Sequence, residues 1–142
     1  MLRVISSAVG LALLGLASPA MAQGVGPLQY VEQSVESLQS EFNSISISRT
    51  RDYRIHSLND DHYRDHTFQL SDPGYIAVGG DTDTQWLTLS MLENGQPASW
   101  NRDSGQRSAN IYFSRAGTYT VRVYIQDCSE SYCVYSIMAG YR

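Results

Sequence analysis

Residues 118–125 read TYTVRVYI, and this stretch decides the fold. Apolar and polar side chains alternate along it without a break. One face of an extended chain would carry Tyr119, Val121, Val123 and Ile125. A period of two is typical of a β-strand with one buried face, so the run predicts a half-buried strand.

A second β-rich run, residues 132–141, follows after a short link, and Cys128 and Cys133 lie at the two ends of this link. Together the runs predict a closing β-hairpin. The chain has two cysteines, which can pair in only one way, and they lack the C-x-x-C spacing of a redox-active pair. We predict a Cys128–Cys133 disulfide that clips the hairpin and contributes roughly 2 kcal/mol.

The start of the chain has the pattern of a secretory signal peptide. Arg3 precedes an apolar run at residues 9–16, and Ala20-Met21-Ala22 has the small-x-small pattern of a cleavage site. The apolar run is shorter than the ~20 residues of a spanning helix. Residues 1–22 are therefore predicted to be removed, leaving no stable membrane anchor and a periplasmic or extracellular protein.

The composition limits the partners. Lysine and arginine total 10 against 14 acidic residues, for a formal net charge of −4. That balance argues against a nucleic-acid partner, which would need a basic surface. The length remaining after the signal suits one domain.

Residues 23–43 form a segment of different character. Apolar side chains recur at steps of three and four, namely Leu28, Val31, Val35, Leu38 and Phe42. This spacing predicts an amphipathic helix, with Pro27 at its start. We expect its apolar stripe to dock on the neighbouring domain or on a partner, because the segment is too short for a favourable coiled coil.

From residue 44 onward the period changes to two. Ile45, Ile47, Tyr53 and Ile55 alternate with polar residues, and the predicted strands that follow are 65–70, 75–78, 85–92 and 111–113. Turn signals separate them at residues 59–61, 71–74 and 79–81, and Asn94-Gly95 has the chemistry of a two-residue hairpin turn. The polar residues 97–109 are predicted to form a surface loop.

These strands, with the last two, number about seven or eight, and no βαβ alternation appears. The pattern predicts an all-β fold, an antiparallel jelly-roll-like β-sandwich with one N-terminal amphipathic helix. The predicted β-sandwich domain covers residues 44–142.

Several segments together resemble a known family. They are DHTFQL at 65–70, PGYIAV at 73–78, TLSMLENG at 88–95, AGTYTVRV at 116–123 and YSI at 135–137. This set is similar to the bacterial pre-peptidase C-terminal domain, a jelly-roll module that trails many secreted proteases and resembles the collagen-binding domains of clostridial collagenases. The family's Asp-Leu-Asp-Leu segment appears here as QWLTL at 85–89. The resemblance implies a binding module.

Three histidines form the first candidate site. His56, His62 and His66 are interleaved with Asp60, Asp61 and Asp65, a composition that suits zinc or copper. The alternative is that His66, at a strand start, is a half-buried, hydrogen-bonded residue of the fold.

Two aspartates form the second. Asp81 and Asp83 alternate with threonines at a predicted hairpin tip, and calcium prefers such oxygen-rich turns. The alternative is that these side chains only make the turn, through bonds to the backbone.

Exposed aromatic residues form the third. Trp100, Tyr124 and Tyr132 are the predicted ligand-binding residues, because flat aromatic faces contact sugar rings and protein partners. Trp86 or its immediate neighbours are expected in the core.

No nucleophile elbow, paired-glutamate spacing or cysteine nucleophile is present, so the chain is not predicted to be an enzyme. The sequence favours a secreted or periplasmic non-catalytic binding module that recognises an envelope or extracellular polysaccharide or protein surface. It needs no cofactor, with calcium as the candidate if one binds. The alternatives are a periplasmic metal-binding protein and a structural or inhibitory partner protein.

Overall fold

The computed structural model describes residues 28–142; the predicted signal peptide, residues 1–22, lies outside them. The described elements are α1 Leu28–Ser44, β1 Arg49–Asn59, β2 His62–Leu70, β3 Gly74–Gly80, β4 Thr84–Glu93, β5 Gln96–Gly105, β6 Ser108–Phe113, β7 Gly117–Cys128 and β8 Tyr132–Tyr141. The predicted helix is present. Residues 28–142 contain no helix that is long and apolar enough to cross a bilayer.

The strands form two four-stranded antiparallel sheets. The first has the order β1-β8-β3-β6 and the second the order β2-β7-β4-β5. The pairs β1–β8, β2–β7, β3–β6 and β4–β5 are nested, as in one long hairpin rolled into a sandwich. Its tip is Asn94-Gly95, where both residues have positive φ, 51° and 76°, as a type I′ turn requires. This order is that of a jelly roll, which confirms the predicted fold class.

The predicted closing hairpin is wrong. β7 pairs with β2 and β4 in the second sheet, whereas β8 pairs with β1 and β3 in the first. The link between them therefore crosses from one sheet to the other. The predicted Cys128–Cys133 disulfide is present, and it closes this crossover, where the backbone N–H of Cys128 also donates to Asp60 at 2.8 Å.

The prediction of a loop at residues 97–109 is also wrong. This segment forms most of β5 and the start of β6. Among the strands of residues 28–142, β5 is an edge strand that pairs with β4 alone, and the register of this pair shifts between Ser90 and Leu92 of β4. The irregular pairing breaks the alternation that would have shown a strand, and the polar residues suit an exposed edge.

The core lies between the sheets. Val121, Val123 and Ile125 are fully buried, as the alternation of 118–125 predicts. In β4, Leu87 is fully buried while Trp86 is 45% exposed, so the core member at this point is the neighbour of Trp86. Consecutive residues of a strand face opposite sides of the sheet, and the pairing of β4 with β7 also shifts register at Trp86.

Helix α1 covers the outer face of the first sheet. Its Leu38 and Phe42 are buried against Ala77 of β3. The approach is close, because a Cβ on Gly79 would lie 2.3 Å from the backbone nitrogen of Leu38. Ser34 adds a hydrogen bond to Ser136 of β8 at 2.7 Å. The helix thus docks on its own domain.

Ile45 and Ile47 belong to this helix contact and not to a strand. Both are partly buried against the cluster under α1, and β1 begins only at Arg49. The turn after β3 also differs from the prediction: Gly79 and Gly80 end that strand, and the turn follows them.

The outer face of the second sheet, which we call the open face, is not covered by the helix.

Candidate binding groove on the open face

Cross-strand register arranges the outward side chains of the open face in rows. Residues directly opposite each other on paired strands share a face of the sheet. The first row, from β2 to β5, is Asp65, Arg122, Ser90 and Arg102. The second row is Tyr63, Tyr124, Thr88 and Ser104. One row is therefore charged and the next combines aromatic rings with hydroxyl groups.

An open groove of about 440 Å³ lies over these rows. Six members of the two rows line it, and Asp61, Pro97 and Gln126 complete it. We call it the open-face groove. Its lining combines two tyrosines, two arginines, hydroxyl groups, an amide and a carboxylate.

Arg122 is held rigidly in this groove. Its Nε and Nη2 donate to the two carboxylate oxygens of Asp65 at 2.7 and 2.9 Å, and its guanidinium lies 3.8 Å from the ring centroid of Tyr63. The hydrogen bond to Asp65 raises the pKa of Arg122. Bidentate pairing and stacking leave little side-chain freedom, so Arg122 is a fixed part of the surface.

The polar groups of the second row are also fixed before any ligand binds. The hydroxyl of Tyr124 donates to Asp61, which raises the pKa of Tyr124. The hydroxyl of Thr88 donates to Gln126 at 2.6 Å and shares a 3.0 Å hydrogen bond with Ser104. Because Thr88 has already used its proton, Ser104 is the donor in the second bond. The row is preorganised for polar recognition.

Of the predicted ligand-binding residues, the structure brings only Tyr124 into the groove. Trp100 is 67% exposed but does not line the groove, and its Nε1 donates to Glu93 at 3.3 Å. Tyr132 is half-buried at the start of β8, opposite Asn59 in the first sheet.

The groove residues that the sequence did not single out are mainly Tyr63, Arg102 and Arg122. For Arg122 a signal existed, because the alternation of 118–125 places it beside Tyr124 on the outward face. Tyr63 and Arg102 could have been found only from the pairing of β2 and β5 with their neighbouring strands, and this pairing cannot be derived from a single sequence.

The three histidines do not converge. His66 is buried, its Nε2 is 2.7 Å from the hydroxyl of Tyr135, and the ring centroid of His56 is 4.9 Å from its own. Burial lowers the pKa of His66 to about 4. His62 is exposed at the strand start, with Nδ1 2.8 Å from the carbonyl of Asp60, and four residues of strand set it about 13 Å from His66.

Within residues 28–142 no three histidine, cysteine or acidic side chains are grouped as metal ligands would be. Two of the three histidines come together, and the hydrogen bond of His66 to Tyr135 matches the alternative of a structural residue. Metal binding by His56, His62 and His66 stays a prediction.

Asp81 and Asp83 contact different residues. Asp81 is buried, and its carboxylate accepts from the backbone N–H of Val134 at 2.8 Å and from the N–H and hydroxyl of Thr84 at 3.1 and 3.0 Å. Burial raises its pKa. The backbone carbonyl of Asp83 accepts from Ser129 at 2.9 Å. These contacts tie the β3–β4 turn to the β7–β8 crossover, and calcium binding there stays a prediction.

Fold and groove together define a jelly-roll protein with a preorganised polar and aromatic surface on one sheet. No family model matches the chain, so the resemblance to the pre-peptidase C-terminal domain also stays a prediction. No curated protein matches either.

Solved structures do show a likeness. A periplasmic inhibitor of g-type lysozyme from Aeromonas hydrophila is 12% identical, with a TM-score of 0.43 and coverage of 64% of this chain and 85% of that one. A low-affinity xylan-binding module from Roseburia intestinalis is 16% identical, with a TM-score of 0.42 and coverage of 68% and 86%. A dTDP-6-deoxy-D-glucose-3,5-epimerase from Legionella pneumophila is 8% identical, with a TM-score of 0.41 and coverage of 73% and 56%. At these TM-scores the likeness carries no argument about function.

Proposed function

We propose that this protein is an exported, non-catalytic module that binds a polysaccharide chain in the open-face groove. The observation that carries the proposal is the difference between the two outer faces. Helix α1 covers the first sheet, whereas the second presents ordered rows of tyrosine, hydroxyl, amide and charged side chains. The Cys128–Cys133 disulfide fits an oxidising, extracytoplasmic compartment.

The lining suits a sugar in particular. Sugar rings present apolar C–H faces and many hydroxyl groups, which need flat aromatic surfaces and paired donors and acceptors. Tyr124 and Tyr63 offer the aromatic surface; Tyr63 is 58% exposed, although Arg122 stacks on its ring. Gln126 supplies a polar group along the same groove, and the largely buried hydroxyl groups of Thr88 and Ser90 form its floor.

The carboxylates that line the groove or lie beside it, Asp61 and Asp65, do not suit catalysis. Asp61 accepts the hydroxyl proton of Tyr124, and Asp65 is paired with Arg122. A general acid or base in a glycosidase works as one of two carboxyl groups that face each other across the sugar bond. The two aspartates here are each engaged by a neighbouring side chain, which supports a binding role for both.

Affinity electrophoresis through gels that contain single polysaccharides tests the proposal. Retention of the purified protein by at least one polysaccharide is expected, and Tyr124→Ala should weaken it about tenfold, since an aromatic anchor at the centre of an interface contributes this much. Tyr112→Ala is the matched control, because Tyr112 is 52% exposed but lies on β6 in the other sheet. Trp100→Ala tests the predicted role of Trp100.

Equal retention of the protein and of Tyr124→Ala would contradict the proposal, as would an equal loss in Tyr112→Ala. If no polysaccharide retains the protein, the proposal is overturned.

A further inference from the structure

We infer that the open-face groove selects polysaccharides that carry an anionic group, a carboxylate or a sulfate ester, through Arg102. This rests on the proposed function and adds the class of sugar. The group would lie above Ser90, between two guanidinium groups, with the sugar ring toward the tyrosine row.

The register of the sheet provides the geometry. Ser90 of β4 is directly opposite Arg122 of β7 on one side and Arg102 of β5 on the other. Two strand spacings set the Cα atoms of the arginines about 10 Å apart. Serine is the small member of the row, so a depression remains between two long cationic side chains, and all three residues line the groove.

The two arginines differ in how their charge is balanced. Arg122 forms an ion pair with Asp65. Arg102 forms none with any acidic group in residues 28–142. Its neighbour in sequence, Asp103, accepts instead from the backbone N–H of Asn110 at 2.9 Å.

The only carboxylate lining the groove within residues 28–142 is that of Asp61, which accepts a hydrogen bond from the hydroxyl of Tyr124. The charge of Arg102 is therefore available to a ligand. A guanidinium binds carboxylate and sulfate oxygens with two parallel hydrogen bonds.

The overall charge of the protein makes such recognition specific. A chain with a formal net charge of −4 does not attract a polyanion through its net charge. We therefore expect a preference for an anionic sugar to come from a local contact, and substitution of Arg102 should remove it.

Matched pairs of polymers test the inference: polygalacturonate against its methyl-esterified form, and dextran sulfate against dextran. In each pair only the anionic group differs. We expect the protein to bind the anionic member of at least one pair about tenfold more tightly, which is the contribution of one charge-assisted hydrogen-bonded contact. The first pair identifies a uronic acid and the second a sulfate ester as the group recognised.

Variants then assign the preference to one residue. Arg102→Gln should bind both members of the pair equally, Arg102→Lys should keep part of the preference, and Arg115→Gln, at an exposed position between β6 and β7, should keep all of it.

The outcomes separate the two levels of the proposal. Equal binding of charged and neutral members by the unsubstituted protein, or a preference that survives in Arg102→Gln, overturns the inference and leaves polysaccharide binding intact. Failure to bind these four polymers and the wider panel overturns both.

Discussion

Acidification should weaken the fold mainly through the buried histidine His66, with a contribution of the same sign from His56, whose pKa is also lowered by burial. His66 of β2 lies against Tyr135 of β8 and His56 of β1, between the two sheets. Burial lowers its pKa from 6.5 to about 4. As the pH falls below 6.5 the unfolded chain takes up a proton at this residue while the folded protein does not, so stability is lost as the pH falls from 6.5 toward 4.

The size of the effect follows from that difference in pKa. The two pKa values differ by 6.5 − 4 = 2.5, and a pKa difference of one corresponds to about 1.4 kcal/mol, which gives an upper limit of about 3.5 kcal/mol. The folded protein relaxes around a charge in its interior, which lowers this limit, and we expect about 2 kcal/mol. After burial, the groups that set the pKa of His66 are His56, Arg54 and Arg64, which lower it, and Asp65, which raises it.

Urea unfolding followed by circular dichroism at pH 7, 6, 5 and 4 measures the effect. His66→Gln removes the titrating ring, so its free energy of unfolding should fall less over this interval, by about 2 kcal/mol. His62→Gln is the matched control, since His62 is exposed on the same strand and should follow the unsubstituted protein. Parallel curves for His66→Gln and the unsubstituted protein would refute the reasoning.

Two substitutions test how the helix and the crossover are held, both by thermal and urea unfolding. Gly79→Ala should destabilise the fold by about 3 kcal/mol, because its Cβ would lie 2.3 Å from the backbone nitrogen of Leu38. Gly117→Ala is the control and should have little effect, because its Cβ would make contacts of 3.4 Å or more. Equal losses of stability in the two variants would contradict the close helix contact. Asp81→Asn should cost about 2 kcal/mol, since an amide cannot accept from both Thr84 and the N–H of Val134; an unchanged midpoint would show that these bonds contribute little.

Alternation along a strand shows which side chains face inward, and here it was sufficient. The buried face of residues 118–125 could be predicted because burial of one face is a local property of the strand. The tip of the rolled hairpin could be predicted as well, because Asn94-Gly95 tolerates the positive φ that a type I′ turn requires.

Pairing between strands is a property of the whole chain and could not be predicted in the same way. The link between Cys128 and Cys133 is short enough for a hairpin, yet it joins two sheets. Residues 97–109 look like a loop because an edge strand has one partner and needs no apolar alternation. The groove depends on this pairing, since Ser90 separates Arg102 from Arg122 only through register.

The size of the outward side chains nevertheless differs between the two sheets, and this difference explains which outer face the helix covers. On β3 and β8 the outward positions under the helix include Ala77, Gly79, Ser136 and Gly140. Small side chains let a helix backbone approach, as the contacts of Gly79 and Gly140 with α1 and the residues that follow it show.

The outward positions of β7 that line the groove are Arg122, Tyr124 and Gln126. These side chains are long and polar, and each forms a hydrogen bond, with Asp65, Asp61 and Thr88 respectively. A helix could not lie flat on them without burying their charges and amides unpaired. The first sheet has small outward residues and the second has long polar ones. The helix and the candidate site therefore lie on opposite sides of the same core.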